Sequence, residues 1–399
     1  MGDNPCRLAA LGMVNCLGTD TRTVWERTLR GDQSGLVLDG EYFPGRQIRV
    51  GRIGGGLPEV PEAHARYRCR NNAIALAALR QISEAVRAAV REHGPARVGV
   101  VMGSSTSGVA ASETAYAAWM RDGALPAGYF YCQNELWGLA QFLADYCGAT
   151  GPAYAISTAC SSSAKVFASA RALLETGVCG AVLAGGADSL CQLTVQGFSS
   201  LQAVSDQPCN SMSRNRRGFN VGEGAAVFLL TREAGGIQLL GVGESSDAHH
   251  MSAPDPEGTG AAASMAAALA DAGLAASAVS YLNLHGTGTG LNDRMEGKAV
   301  SRVLPGVPAS STKPLTGHTL GAAGAMEVGF CWLALANPAD GKVCLPPHCW
   351  DGAADETIPP LALTRPGQTL PAAGRVTLMS NSFGFGGSNC SVVLGRDSW

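Results

Sequence analysis

The sequence predicts an α/β protein built from two similar halves, residues 1–235 and 236–399. Three observations carry this expectation. Short runs dense in β-branched and small apolar residues, such as Arg97–Met102 and Ala181–Ala187, alternate with Ala- and Leu-rich runs of helical periodicity. The order of these runs in the first half is echoed from Ile237 onward. A hydrophobic content of 46% over 399 residues, with 52 glycines, suits a large core closed by tight turns. No Gly/Ser run is long enough to act as a linker, so the halves read as one compact unit.

Each element follows from its local pattern. Leu8–Val14 is the first strand, Thr21–Arg30 a short amphipathic helix, and Gly35–Pro61 a surface loop with short strands. Arg66, Arg68 and Arg70 then open a long helix that runs to about His93, before the Gly94-Pro95 stop. Three cations on a first turn oppose the helix dipole, which reads either as a solvated basic surface or as a dock for an acidic partner. The strand RVGVVM is buried on both faces and leads into the small-residue loop Gly103–Gly108, which could cradle phosphate or let a substrate pass. A Walker motif is absent, which argues against phosphate. Helices at Ala111–Arg121 and Leu136–Tyr146 precede the strand Ala153–Ile156 and the helix Lys165–Thr176; the buried strand Ala181–Ala187 closes the first half. A polar excursion, Val204–Val221, leads to the strand Ala225–Leu230. The second series has a strand at Ile237–Gly241, a loop with His249 and His250, a helix at Gly260–Ala272 and a strand at Val279–Leu284. Ser311–His318 is a second strand-to-helix turn, and Asn381–Asn389 a Gly/Phe turn before the final strand Ser391–Leu394.

The balance of charge excludes some functions. A net charge of −3 gives no footprint for general nucleic-acid binding. The 13 cysteines form no CxxC pair and no His/Cys spacing that would clamp zinc, so a reducing, cytoplasmic compartment is expected and no catalytic metal. The first 19 residues lack the pattern of a signal peptide, and every apolar run is interrupted before it could span a membrane, for example by Glu327.

The chemistry centres on Ser157–Lys165. A cysteine where a strand turns into a helix sits at the positive end of the helix dipole, where backbone N–H groups stabilise a thiolate. Alone, Cys160 reads equally as a buried small hydrophobe. His285, in Asn283-Leu-His-Gly-Thr-Gly-Thr289, and His318, in Thr316-Gly-His318, both stand among small residues with little side-chain cover. Either alone could be a structural histidine; two of them favour work on a substrate. The backbone N–H groups of the Gly/Phe turn could form an oxyanion hole, or the turn could be structural.

The motifs TACSSS around Cys160, HGTGT from His285, KxxxGHxxGAAG from Lys313 and NSFGFGGSN from Asn381 come in the order and spacing of one family. The chain resembles the β-ketoacyl-acyl carrier protein synthases, decarboxylating condensing enzymes of the thiolase-like superfamily, over essentially its whole length. The resemblance implies a thiolase-like fold, two duplicated α/β halves in a five-layered α-β-α-β-α core. It implies that Cys160 is the acylated nucleophile, that His285 and His318 hold the thioester carbonyl, and that Lys313 and Glu296 support the histidines. Thr287, Thr289, Phe383 and Thr106 are implied substrate contacts, with Phe385 gating the pocket and lending its N–H, with that of Cys160, to an oxyanion hole. Asn283, Glu327, Ser380 and Asn381 match positions that enclose a structural monovalent cation in such enzymes; no other cofactor is implied. The implied partners are acyl carrier protein, docking on the turn with Arg66, Arg68 and Arg70 beside the pocket entrance, where Arg121 can join from the other subunit, and a second ketosynthase-like subunit, identical or related.

Some features depart from the housekeeping pattern. TACSSS and the Arg68–Asn72 opening look like polyketide and aryl polyene ketosynthases, and Arg214–Phe219 lacks the usual acidic residue before Gly-Phe. A thiolase would carry a second cysteine where this chain has Phe-Gly-Phe-Gly-Gly. A chain-length-factor-like subunit with little activity of its own would normally lose the nucleophile, and Cys160 is present.

Overall fold

The computed structural model describes residues 5–397 and 399. Ten strands form the body of one sheet: β1 (Arg7–Asn15), β2 (Val98–Gly103), β3 (Ala153–Ile156), β4 (Ala181–Asp188), β5 (Gly224–Thr231), β6 (Ile237–Ser246), β7 (Val279–Asn283), β8 (Pro308–Ser310), β9 (Val376–Gly384) and β10 (Ser388–Arg396). An eleventh, Ala362–Leu363, extends one edge. The helices are α1 (Thr21–Leu29), α2 (Arg70–Gln81), α3 (Ser83–His93), α4 (Val109–Asp122), α5 (Trp137–Cys147), α6 (Ser162–Glu175), α7 (Gln192–Ser200), α8 (Thr259–Ala272), α9 (Gly290–Val303), α10 (Lys313–Thr316) and α11 (Ala323–Ala336).

The internal echo is explicit in the topology. The first half runs β3-β2-β4-β5-β1 and the second β8-β7-β9-β10-β6, with parallel and antiparallel pairs at matching places. The two orders meet where Arg7 of β1 pairs with Gln238 of β6. Helices α6 and α11 lie between the two half-sheets and touch strands of both. Their shared core includes Phe167, Phe228 and Phe330, with the first two rings edge to face at 5.3 Å. A second core lies under α2 and α5, and a third under α8 and α9, which completes five layers. Gly324 lets α11 approach α6: a Cβ there would stand 2.5 Å from Ala164 N.

The thiolase-like α/β architecture is the one expected, but three local expectations change. The long helix ending near His93 is two helices, broken at Ile82 (φ −114°, ψ 12°), because the Gln81 amide bonds Met13 and Thr19 and ties the end of α2 to β1. Arg66 lies in a 3-10 turn (Glu62–Tyr67) and Arg68 just beyond it, so only Arg70 is on α2. Asn381–Gly384 belongs to β9, not to a turn; the hairpin tip is only Phe385–Gly387. No helix among the described residues is long and apolar enough to cross a membrane.

Candidate active site

Cys160 sits between β3 and α6 in a turn held by its own hydroxyls. Ser161 Oγ donates to Thr158 O at 2.9 Å, Ser162 Oγ to Ala159 O at 2.5 Å, and Thr158 N donates back to Ser162 Oγ at 2.9 Å. Ala159 takes the left-handed conformation (φ 54°), a strained setting for a residue with a Cβ, and the turn presents Cys160 ahead of the helix start at Ser162. The second half repeats the device: Leu320 (φ 52°) precedes the start of α11 at Ala323 by the same spacing. His318 lies just before it, its N–H on Asn220 O at 2.7 Å and its C=O accepting from Gly222 N at 2.9 Å.

These two turns bring the reactive atoms together. His318 Nε2 is 3.0 Å from Cys160 Sγ, and the His285 ring stands 5.5 Å from that of His318 at 85°. The donor atoms of Cys160, His285 and His318 lie within 4.8 Å of one another. His285 follows β7, and its loop is fixed by Glu296 of α9, whose carboxylate accepts from His285 N and Gly286 N, both at 2.7 Å. Glu296 thus acts on the backbone of the His285 loop. Lys313, 1% exposed, reaches His285 O, His285 Nδ1 at 3.3 Å, and the carboxylate of Glu327.

The electrostatics follow from burial. Both imidazoles are held well below the ordinary histidine range, first by burial and then by the Lys313 charge, so both are neutral near pH 7. Because the Lys313 ammonium can only donate to His285 Nδ1, the His285 proton stays on Nε2. An N–H aimed at the cavity suits a carbonyl oxygen and opposes metal ligation, which needs a lone pair there. Burial pushes the Cys160 thiol up, while the Phe385 backbone N–H and Lys313 pull it down. Burial likewise raises Glu296 and Glu327 to about 7.

A cavity of about 540 Å³ opens onto these groups and is lined by Cys160, His285, His318, Thr287, Thr289, Phe383 and Phe385. The Thr287 and Thr289 hydroxyls are 3.0 Å apart, and Phe385 is 42% exposed. Thr106 is not among the lining residues: its hydroxyl bonds the buried carboxylate of Asp188 at 2.8 Å. Arg66, Arg68 and Arg70, expected beside the entrance, and Arg121, expected to join from a second subunit, are not among the residues that line the cavity. Arg70 is committed to buried Glu223 (2.8 and 2.5 Å), Arg68 pairs with Glu62, Arg121 pairs with Asp122, and Arg66 lies over the Tyr67 ring. The arginines at the cavity are Arg216, Arg217 and Arg294.

The four residues matched to a cation site divide. Asn283 and Ser380 are paired across β7 and β9, and Asn283 Oδ1, Ser380 Oγ and Glu327 Oε2 are buried without a hydrogen-bond partner. Such orphans fit a cation that accepts oxygen ligands. Asn381, next along the strand, faces the other way, with its Oδ1 on Ser391 Oγ.

Several organising residues escaped the sequence reading. Asp188, fully buried at the end of β4, accepts from Ser104 Oγ, from the backbone and hydroxyls of Ser105 and Thr106, and from Gly321 N, joining the two halves behind His318. Arg216 donates to Thr289 O, Gly290 O and Asp355 and so pins the HGTGT loop. His348 accepts from Ser311 N at 3.1 Å and reaches Ser211 O at 3.0 Å, bridging behind Lys313. The one signal in sequence was polarity at the end of an apolar run, as for Asp188 after AVLAGGA.

Comparison with known proteins gives the same assignment. The profile described as "Beta-ketoacyl synthase, N-terminal domain" matches residues 58–235, and "Beta-ketoacyl synthase, C-terminal domain" matches 237–339. The chain is 31% identical to a "3-oxoacyl-[acyl-carrier-protein] synthase 2" of Vibrio cholerae, over 98% of each chain, and 30% identical to the Staphylococcus aureus protein of that name, over 97% of each. Among solved structures, a chain of the "Ketosynthase (ApeO) in Complex with its Chain Length Factor (ApeC) from Xenorhabdus doucetiae" superposes with a TM-score of 0.93 at 40% identity, over 98% of each chain. A β-ketoacyl synthase from Burkholderia phymatum gives 0.85 at 27% identity, over 98% of this chain and 99% of that one. With matched profiles over both halves, full-length relatives above 30% identity and the motif residues gathered in one cavity, this chain belongs to the β-ketoacyl synthase family.

Proposed function

We propose that the protein is a β-ketoacyl-acyl carrier protein synthase that elongates an acyl chain by decarboxylative Claisen condensation. The observation that carries the reading is the approach of His318 Nε2 to Cys160 Sγ at 3.0 Å, with neutral His285 beside it in the same cavity. The Cys160 sulfur attacks the carbonyl of an acyl thioester; the carrier thiolate leaves and takes up the proton that Cys160 gave up. Oxyanion donors are the backbone N–H groups of Cys160 and Phe385. A malonyl thioester then binds with its carbonyl oxygen against the two imidazole N–H groups. Loss of CO2 leaves an enolate on that oxygen, and its α-carbon attacks the Cys160 thioester. Collapse releases the Cys160 thiolate and a β-ketoacyl thioester on the carrier. The reaction consumes no redox equivalents.

An intact nucleophile with both histidines opposes the reading as an inactive chain-length partner. We infer that the carrier is an acidic protein drawn by exposed Arg66, Arg68 and Arg121, joined by Arg217 and Arg294 at the cavity. A second ketosynthase-like subunit, like the chain length factor in complex with the Xenorhabdus doucetiae ketosynthase, would cover the exposed Tyr116, Trp119, Met120, Leu125, Phe130 and Tyr131. Thirteen free thiols support a reducing cytoplasmic setting. The orphan oxygens of Asn283, Ser380 and Glu327 support a structural monovalent cation that would share the Glu327 charge with Lys313. The test is intact-mass measurement of acyl transfer from loaded carrier proteins onto Cys160, followed by malonyl-carrier addition. A chain that takes up no acyl group from any carrier, with its candidate partner subunit present, defeats the reading.

A further inference from the structure

Helix α7 forms one wall of the catalytic cavity, through Phe198 near its end and Leu201, Gln202 and Ala203 beyond it. Its start has no cap of its own: Val195 is its only buried residue, Gly197 lowers its intrinsic helix propensity, and its N-cap residue, Cys191, makes no side-chain cap. What holds its start is a carboxylate from another element. Glu113 of α4 accepts Gln192 N at 3.0 Å and Leu193 N at 2.7 Å, one on each oxygen. At the far end, Phe198 stands edge-on to Phe385 (5.9 Å, 90°) and to Phe219 (5.4 Å, 73°), and Phe219 in turn packs on His318 (5.1 Å). The gate residue Phe385 therefore takes one aromatic contact from a helix whose start is held by one carboxylate, while Gln196 Nε2 donates to Tyr42 O at 3.0 Å and Val195 packs beside Tyr42 and Phe219 farther along.

We propose that Glu113 is a positioning residue for the condensation: by tethering the start of α7 it helps hold Phe198 against Phe385 and so fixes the Phe385 backbone in the cavity it shares with Cys160. This rests on the ketosynthase reading. It separates the half-reactions, because acyl transfer and carbon–carbon bond formation use the Phe385 N–H, whereas decarboxylation of a malonyl thioester uses the two imidazoles.

The experiment compares wild type, Glu113→Ala, Glu113→Gln, Phe198→Leu and Glu113→Ala/Phe198→Leu, each assembled with whatever partner subunit the wild type needs. Acylation of Cys160, condensation and unprimed malonyl decarboxylation are followed by mass spectrometry, and amide exchange over Gln192–Ser200 reports the tether directly. In Glu113→Ala, acylation and condensation should fall roughly tenfold, the size of lost charge-assisted hydrogen bonds, with decarboxylation within twofold of wild type and faster exchange in α7. Glu113→Gln, which keeps one acceptor, should lie between, and Phe198→Leu should reproduce the defect without adding to it in the double variant. Unchanged exchange in α7, an equal fall in all three reactions, or additive losses would overturn the proposal. A wild type that never condenses would instead refute the ketosynthase reading, while the exchange measurement would still decide the tether.

Discussion

Replacing Lys313 by Met tests the electrostatic core of the site. Met fills most of the buried volume but removes the ammonium that faces Glu327, His285 O and His285 Nδ1. Leaving one member of a buried pair costs about 3–5 kcal/mol when the remaining group stays charged. At about 2.1 cal/mol/K per residue, 399 residues give an unfolding entropy of about 0.8 kcal/mol/K, so the full cost is a Tm lowered by roughly 4–6 °C. The carboxyl can escape this by protonation. Glu327 already titrates near 7 with the ammonium present, above its ordinary 4.5, so its ionisation opposes folding: stability is retained at low pH and lost as pH rises toward the folded value. Without Lys313 that value rises further, and the loss continues above pH 7 at up to about 1.4 kcal/mol per pH unit. The Tm gap between variant and wild type should therefore be small at pH 6 and widen by 1–2 °C per unit through pH 8. Malonyl decarboxylation should fall by about 10²-fold, the scale of losing one oriented donor, because nothing then holds the His285 proton on Nε2. Acylation of Cys160 should fall less than tenfold. Differential scanning fluorimetry at three pH values and intact-mass assays of each half-reaction measure these. A Tm gap independent of pH, or equal loss of both half-reactions, would refute the assignment of Lys313 as the group that fixes His285.

Other outcomes follow from the same geometry. Cys160→Ala should abolish acyl transfer while leaving Tm within about 2 °C, since only a small side chain at a helix start is trimmed; retained condensation in the mass assay would show another nucleophile. Reversing Arg66 and Arg68 to Glu should slow acylation by carrier-bound substrate severalfold at low salt and leave a small thioester untouched, with the difference shrinking as salt is added. Arg70 is left out of that variant, because a glutamate there would face buried Glu223. Potassium or sodium at saturating concentration should raise Tm by about 3 °C over tetramethylammonium at equal ionic strength, and Ser380→Ala should weaken that response; equal Tm in all three salts would leave the orphan oxygens without a cation.

The α/β class, the duplication and the candidacy of Cys160, His285 and His318, which the fold gathers in one cavity, were legible in the sequence, because they rest on local signals. Period-2 and helical patterns mark the strands and helices, and a cysteine or histidine among small residues at an element boundary marks a candidate reactive group. Resemblance in four ordered motifs then supplied the chemistry. What only the tertiary structure decided are pairings between distant segments. Glu327 reads in sequence as a charge interrupting an apolar helix, and only the packing of α11 beside the Lys313 turn makes it an ion-pair partner. Glu296 bonds the backbone of the His285 loop, Thr106 turns from the cavity to Asp188, and Arg70 is spent on Glu223. Pattern reports which face of an element is buried, but not what meets it there. A buried charge must find its partner wherever the chain brings one, and for Asp188, Glu223 and Lys313 some of those partners come from far along the chain, as Gly321 does for Asp188 and Arg70 for Glu223.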